Sequence, residues 1–233
     1  MAYPKRFDGR AWDEPRPMEA KVGVVPRADG SAMFRIGNTV AIAAVYGPRD
    51  LHPKFMQNPE TGILRCDYNM LPFSGHGDRV KPGGGRRARE IGMVMENAIR
   101  PVIDLKDYPN TVVDVFVDLP QTDAGTRCAA ITAAAMALAD AGIEMKELPA
   151  AVAVGRVSDK FVVDLNYDEE AHEDGAADIP VAMLPRSGKV TLLQMDGDIQ
   201  PADLKKVLQM AHKAIIKINE VQKAALKARF ADK

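Results

Sequence analysis

The chain has 233 residues, 46% of them hydrophobic and 27% charged, a balance that argues against a disordered or fibrous polypeptide and suits one large globular domain or two small ones. Its 31 Lys and Arg stand against 32 Asp and Glu, leaving a net charge of −1, so no global basic field draws it onto a polyanion and any such site must be local. The two cysteines, Cys66 and Cys128, lie in apolar stretches without CxxC spacing, which argues against a disulfide framework or zinc site and for buried thiols in a reducing compartment.

The first residues, Met1-Ala2-Tyr3-Pro4-Lys5-Arg6, lack the apolar run of a signal peptide. No later stretch reaches the ~18 uninterrupted apolar residues of a membrane span, so a soluble, cytoplasmic protein without a membrane partner is expected. Met33-Phe34-Arg35-Ile36 and Val40 to Tyr46 flank the turn dipeptide Gly37-Asn38 and predict a hairpin. Leu64 to Phe73 alternates loosely, and Val113, Val115, Val117 and Leu119 alternate with Asp114, Phe116 and Asp118, which predicts two more strands. Further strands are expected at 151–157, 161–165, 180–184 and 189–195. Helical spacing runs through Ile91, Val94, Met95, Ala98 and Val102, then through the Ala-rich stretch from Cys128 to Ala141, stopped by Gly142. The longest helix is expected over about 202–230, where Leu204, Val207, Leu208, Ala211, Ile215, Ile218, Val221 and Ala225 form one apolar stripe. Interleaved strands and helices without strict βαβ regularity imply an α+β fold with helices against mixed sheets, in a single domain spanning 1–233. The Gly-rich stretch from Gly75 to Gly85 reads as a flexible loop.

Chemistry concentrates in three places. Pro120-Gln121-Thr122-Asp123-Ala124-Gly125-Thr126-Arg127 joins a strand to a helix start, where unpaired N–H groups and the helix dipole favour an anion. Gly125 lets the backbone approach it, Thr126 adds a hydroxyl and Arg127 a two-pronged donor. The same residues also suit an ordinary helix cap, with Arg127 on the surface. The second place is the basic cluster of Arg79, Lys81, Arg86, Arg87 and Arg89, which fits either a strand of phosphates or a solvated loop. The third is the run Asp164, Asp168, Glu169, Glu170, Glu173, Asp174 and Asp178, seven carboxylates in fifteen positions. Crowded carboxylates raise one another's pKa, so one could carry a proton to a leaving oxygen, or a pair could hold Mg²⁺; an exposed acidic loop is the simpler reading. Asp178, at the mouth of the apolar Ile179 to Met183 strand, is the one expected to be fixed in place. The four histidines, His52, His76, His172 and His212, make no metal-spaced pair and receive no catalytic role. Tyr68 could stack on a base or fill the core, and core is the plainer expectation.

Several of these segments together resemble the ribonuclease PH family, and within it the catalytic ring subunits of archaeal exosomes. The resemblance rests on Phe7-Asp8-Gly9-Arg10, Glu14-Pro15-Arg16-Pro17, Ala28-Asp29-Gly30-Ser31-Ala32, Gly37-Asn38-Thr39 and Ala44-Val45-Tyr46-Gly47-Pro48. It continues through Arg86-Arg87-Ala88-Arg89-Glu90-Ile91, Asp123 to Arg127, Asp164-Leu165-Asn166-Tyr167 and Asp178-Ile179-Pro180, and so spans nearly the whole chain.

The resemblance implies the α+β fold of ribosomal protein S5 domain 2. It implies a phosphate-dependent 3′-to-5′ exoribonuclease that releases nucleoside diphosphates, with inorganic phosphate as co-substrate and Mg²⁺ as cofactor. The implied partners are RNA 3′ ends, an inactive ribonuclease PH-like paralogue in a hexameric ring of three heterodimers, and RNA-binding cap proteins. Gly125, Thr126 and Arg127 match the family's phosphate-holding Gly-Ser-Arg element, with Thr in place of Ser. Arg86 and Arg87 match the pair that grips the 3′ end, with Arg89 competing for that alignment; Arg65 and Tyr68 lie where RNA is guided by charge and stacking, and Lys54 where the channel narrows. Asp178 matches the second catalytic aspartate. The first falls on His172, so Glu170 or Asp174 supplies that carboxylate, and Asp178 with Asp174 is the implied metal pair. Two other functions fit less of the pattern: a free-standing ribonuclease PH trimming tRNA 3′ ends, and a non-catalytic RNA-binding ring subunit.

Overall fold

Alternating apolar residues in the first half of the chain build a five-stranded sheet from β1 (Met18–Val22), β2 (Gly30–Ile36), β3 (Thr39–Asp50), β4 (Ile63–Met70) and β5 (Thr111–Gln121). The computed structural model describes residues 3–76, 80–81 and 85–231. The strand order is β1-β2-β3-β5-β4. The β2–β3 hairpin turns on Gly37-Asn38 and pairs Ile36 with Thr39, as its turn dipeptide predicts. Strand β4 runs parallel to β5, which requires a crossover; α1 (Arg86–Ile99) lies on that crossover and packs on β4.

The second half forms an antiparallel sheet of β6 (Ala150–Val157), β7 (Lys160–Val163), β8 (Ala176–Met183) and β9 (Val190–Leu193) in the order β7-β6-β8-β9. Helix α2 (Thr126–Asp140) packs against strands of both sheets. Its residues are apolar on every side, and nearly all are buried, as a helix enclosed on all faces must be. It stops where Gly142 turns left-handed at φ 77°. There the Gly142 and Ile143 N–H groups donate to the Ala139 and Leu138 carbonyls, both at 3.1 Å, which satisfies the last carbonyls of the helix.

Four residues, Tyr167–Glu170, form the one-turn helix α3, and α4 (Pro201–Ala231) closes the chain. The α4 stripe is the expected one: Val207, Ala211, Ile215 and Ile218 are buried, and Leu204, Leu208, Val221 and Ala225 pack at its margin. Two polar residues join them, Asn219 and Gln222, whose amides donate to the Leu148, Thr132 and Pro149 carbonyls. One hydrophobic core runs without a break through both sheets and α2.

The acidic run departs from the exposed-loop expectation. Asp164 and Glu169 are buried, each neutralised by an arginine from the N-terminal segment. Arg6 donates to both carboxylate oxygens of Glu169 at 2.7 Å, and the Tyr3 hydroxyl adds a third bond at 2.9 Å. Asn166 and Glu169 complete a reciprocal cap on α3. Among the described residues no helix is long and apolar enough to cross a membrane. Both cysteines are free, and burial pushes their thiols above the usual range, in keeping with the buried-thiol reading.

Candidate active site

The turn between β5 and α2 lines one side of a cleft of about 850 Å³. Ala124 and Gly125 are both left-handed, at φ 57° and 63°, a conformation that costs glycine little and alanine more. Gly125 stands at the cap position of α2, and no side chain caps the helix there. Thr126 is thus the first helical residue rather than the cap, and the positive end of α2 opens into the cleft. Thr126 and Arg127 both line it. Arg127 donates to Gln194 Oε1, which aims the guanidinium along the cleft wall.

The turn is fixed by neighbours remote in sequence. Asp123 accepts from Asn38 Nδ2 at 3.1 Å and from the Tyr167 N–H at 3.0 Å. Thr39 Oγ1 donates to the Ala124 carbonyl at 2.7 Å and accepts the Asp123 N–H at 2.9 Å. From below, Arg16 donates to the Asp123 carbonyl and holds Asp164 through Nε and Nη2 at 2.8 and 2.7 Å.

Glu170, from α3, and Asp178, from β8, line the same cleft, Glu170 close enough to the turn to accept from the Gly125 amide. Asp178 is held in a two-way backbone bridge with Asp196, 2.8 Å in each direction, while its Oδ1 is buried without a partner. Burial is the main cause raising the Asp178 pKa to about 6; Arg127 and Arg87 oppose it, and Asp196 and Asp164 reinforce it. Glu170 keeps an edge exposed at the cleft mouth, yet enough protein surrounds it that lost hydration raises its pKa to about 7, with Asp178 as the second cause. Arg16, Arg87 and the Gly125 amide pull it back down. Two carboxyl groups titrating near neutrality can retain a proton and deliver it to a developing oxyanion.

The structure therefore brings together Gly125, Thr126, Arg127, Arg87, Glu170 and Asp178. Of the two candidates for the missing carboxylate, Glu170 lines the cleft. Asp174 lies in an exposed turn, its N–H bonded to His172 Nδ1 at 3.1 Å, and is absent from the cleft lining; this corrects its place in the catalytic and metal sets. Among the α1 arginines only Arg87 lines the cleft, because the helix turns exposed Arg86 and Arg89 elsewhere. Arg79 lies outside the described residues.

Tyr68 is 1% exposed, so its ring fills the core and cannot stack on a base, a correction to the role implied by resemblance. Its hydroxyl sits beneath Thr126 and Arg87, which work against the upward effect of burial on its pKa. Arg65 is committed to Asp114 at 2.7 and 3.1 Å, and Lys54 stands exposed in a short 3₁₀ turn. Neither reaches the cleft. Polar residues given no site role by the sequence also reach it: His76, Glu90, Tyr167, Gln194 and Asp196. Gln194 and Asp196 share the segment after β9 and the others come from separate elements; only Glu90, one helical turn from Arg87, carried a usable signal.

An α+β fold of two sheets about a buried helix, with a strand-to-helix turn and a carboxyl pair lining one cleft, is that of the ribonuclease PH-like class. The sequence models of the 3′ exoribonuclease family match residues 14–144 as domain 1 and 147–214 as domain 2, and the chain belongs to this family. It is 48% identical to the exosome complex component Rrp41 of Methanopyrus kandleri, covering 97% of this chain and 93% of that one. It is 45% identical to the Rrp41 component of Nitrosopumilus maritimus, at 97% and 91% coverage. Among solved structures, rice Rrp46 superposes with a TM-score of 0.84 at 24% identity, covering 95% of this chain and all of that one. The Archaeoglobus fulgidus exosome with RNA bound to the active site superposes at 0.77 and 23%, covering 93% and 92%. These two likenesses bear out the expected fold.

Proposed function

We propose that this chain is the catalytic subunit of an archaeal-type exosome and degrades RNA from the 3′ end with inorganic phosphate, releasing nucleoside diphosphates. The observation that carries this reading is the one cleft lined by Arg127, the Gly125-Thr126 turn, Glu170 and Asp178 together. Arg127 and the turn suit a phosphate, and the carboxyl pair beside them suits a proton donor. The relatives named Rrp41, alike over nearly their full length, support the assignment to an exosome.

In this mechanism Arg127, the Thr126 hydroxyl and the open end of α2 hold phosphate, and Arg87 grips the 3′-terminal phosphodiester. A phosphate oxygen attacks the last phosphorus, the bond to the penultimate 3′ oxygen breaks, and that oxygen takes the proton retained by the Glu170–Asp178 pair. The terminal nucleotide leaves as a 5′-diphosphate. One P–O bond is exchanged for another, so the reaction runs backwards when diphosphates accumulate. Most of the acceleration comes from placement and fixed charge.

In place of that proton, the ionised Glu170 and Asp178 would hold a divalent cation at the leaving oxygen, for which the unpartnered Asp178 Oδ1 is a suitable hard oxygen. Mg²⁺ suits such a site, being commonly held by one or two carboxylates together with substrate phosphate. When bound, it would neutralise charge on the phosphates. The partners follow the same reading: a paralogous ring subunit in a hexamer and RNA-binding cap proteins, in the cytoplasm.

The test is end-labelled RNA incubated with the chain, alone and with its ring paralogue. Shortening that requires phosphate and disappears in Asp178→Ala supports the enzyme. RNA binding without shortening in either preparation would favour a non-catalytic ring subunit.

A further inference from the structure

The charged walls of the cleft account for phosphates, but a 3′-terminal nucleotide also brings a flat apolar base. Two aromatic side chains line the cleft, His76 and Tyr167. Their rings are stacked, with centroids 5.3 Å apart and planes 27° from parallel, and Tyr167 remains 45% exposed. From this pair we infer that Tyr167, backed by His76, is a stacking platform for the 3′-terminal nucleobase of the RNA, independent of base identity.

The placement of the pair supports this. Tyr167 is the first residue of α3, and its N–H is fixed by the Asp123 carboxylate at 3.0 Å. Its ring is thereby rooted on the anion turn. Glu170, three residues later, lies on the same side of the helix, so base platform and proton donor share one rigid turn. That turn is locked by the reciprocal Asn166–Glu169 cap and the buried Arg6–Glu169 pair. His76 follows Ser74, whose carbonyl accepts both the Thr122 N–H and hydroxyl, at 2.8 and 3.1 Å. The ring behind Tyr167 is therefore anchored to the strand that leads into the same turn. Every base has a π face, so such a platform gains affinity without reading sequence.

This inference rests on the proposed RNA substrate, and it is tested by binding rather than turnover. The full chain, alone and in complex with its ring partners, is titrated in phosphate-free buffer with a labelled oligoadenylate. A second oligoadenylate differs only in an abasic 3′-terminal ribose. The wild type should bind the intact end about tenfold more tightly. Tyr167→Phe should keep that ratio and His76→Ala reduce it. Tyr167→Ala should abolish it while binding the abasic end as the wild type does, which shows the fold and the charges intact. A tenfold ratio surviving in Tyr167→Ala, or no ratio in the wild type, overturns the inference. A preference for the intact over the abasic end, in a protein that yields no diphosphates with phosphate present, contradicts the proposed activity but supports the platform.

Discussion

Arg16 and Asp164 stand 148 residues apart in sequence and meet as a buried fork, with both carboxylate oxygens engaged at 2.7–2.8 Å. The same guanidinium bonds the Asp123 carbonyl, so one ion pair ties the anion turn of the first sheet to the arm of the second that carries Glu170. Asp164 adopts a left-handed backbone at φ 56° to make this contact, a conformation that Asp tolerates better than most residues.

Removing the Arg16 guanidinium leaves buried Asp164 with the Arg16 backbone N–H at 2.8 Å and a longer contact to Arg10 at 3.7 Å. Arg16→Met should therefore cost about 3 kcal/mol, the low end for a broken buried pair, a fall in Tm on the order of 10 °C at roughly 2–4 °C per kcal/mol. The double variant Arg16→Met with Asp164→Leu should recover part of that loss. Calorimetry on the three proteins checks this, and a shift within error for Arg16→Met would refute the pair's role.

Glu170 and Asp178 should make stability depend on pH in a particular sense. Their folded pKa values, about 7 and about 6, lie above those of an unfolded chain. Their contribution is thus fully present in acid, below about pH 4, and is lost as pH rises through 6 to 7. At pH 8 the ionised pair is a burden, so Asp178→Asn should melt a few degrees higher than the wild type, with the advantage shrinking towards pH 4. Thermal scans across that range test it; an Asp178→Asn that melts lower at pH 8 would contradict the assignment.

The two arginines of the cleft should separate in kinetics. Arg127→Ala should lower kcat/KM about 10²–10³-fold, with the KM for phosphate rising most. Arg87→Ala should chiefly raise the KM for RNA. Arg89→Ala, outside the cleft, should change neither. Initial rates with each substrate varied in turn decide the matter.

The choice between carboxylates is equally direct. Glu170→Gln should reduce kcat about 10²–10⁴-fold and remove the upper pKa from its pH profile. Asp174→Asn should leave both unchanged. The opposite pattern would restore Asp174 to the site and displace α3 from it.

Most of the architecture was legible because it rests on local signals. The alternation of Val113 to Leu119, the Gly37-Asn38 turn, the Gly142 stop and the α4 stripe each depend on neighbours within a few residues. What escaped depends on distant partners. Met18–Val22 is short and without clear alternation, and becomes a strand only by pairing with β2. Glu169 and Asp164 sat among charges that read as solvated, since nothing nearby in sequence announces Arg6 or Arg16. Tyr68 shows the converse: local pattern favoured the core, resemblance suggested RNA, and the packed sheet settles it for the core. The anion turn was visible as Gly125-Thr126-Arg127, but its partnership with Glu170 and Asp178 required the fold.

The most direct measurement follows the phosphate itself. The assembled protein is given unlabelled RNA, Mg²⁺ and radiolabelled orthophosphate, and the released nucleotides are resolved. The mechanism predicts nucleoside 5′-diphosphates labelled only in the β-phosphoryl group, at a rate that falls with Arg127→Ala. Unlabelled monophosphates, formed at the same rate without phosphate, would show water to be the attacking group and contradict it.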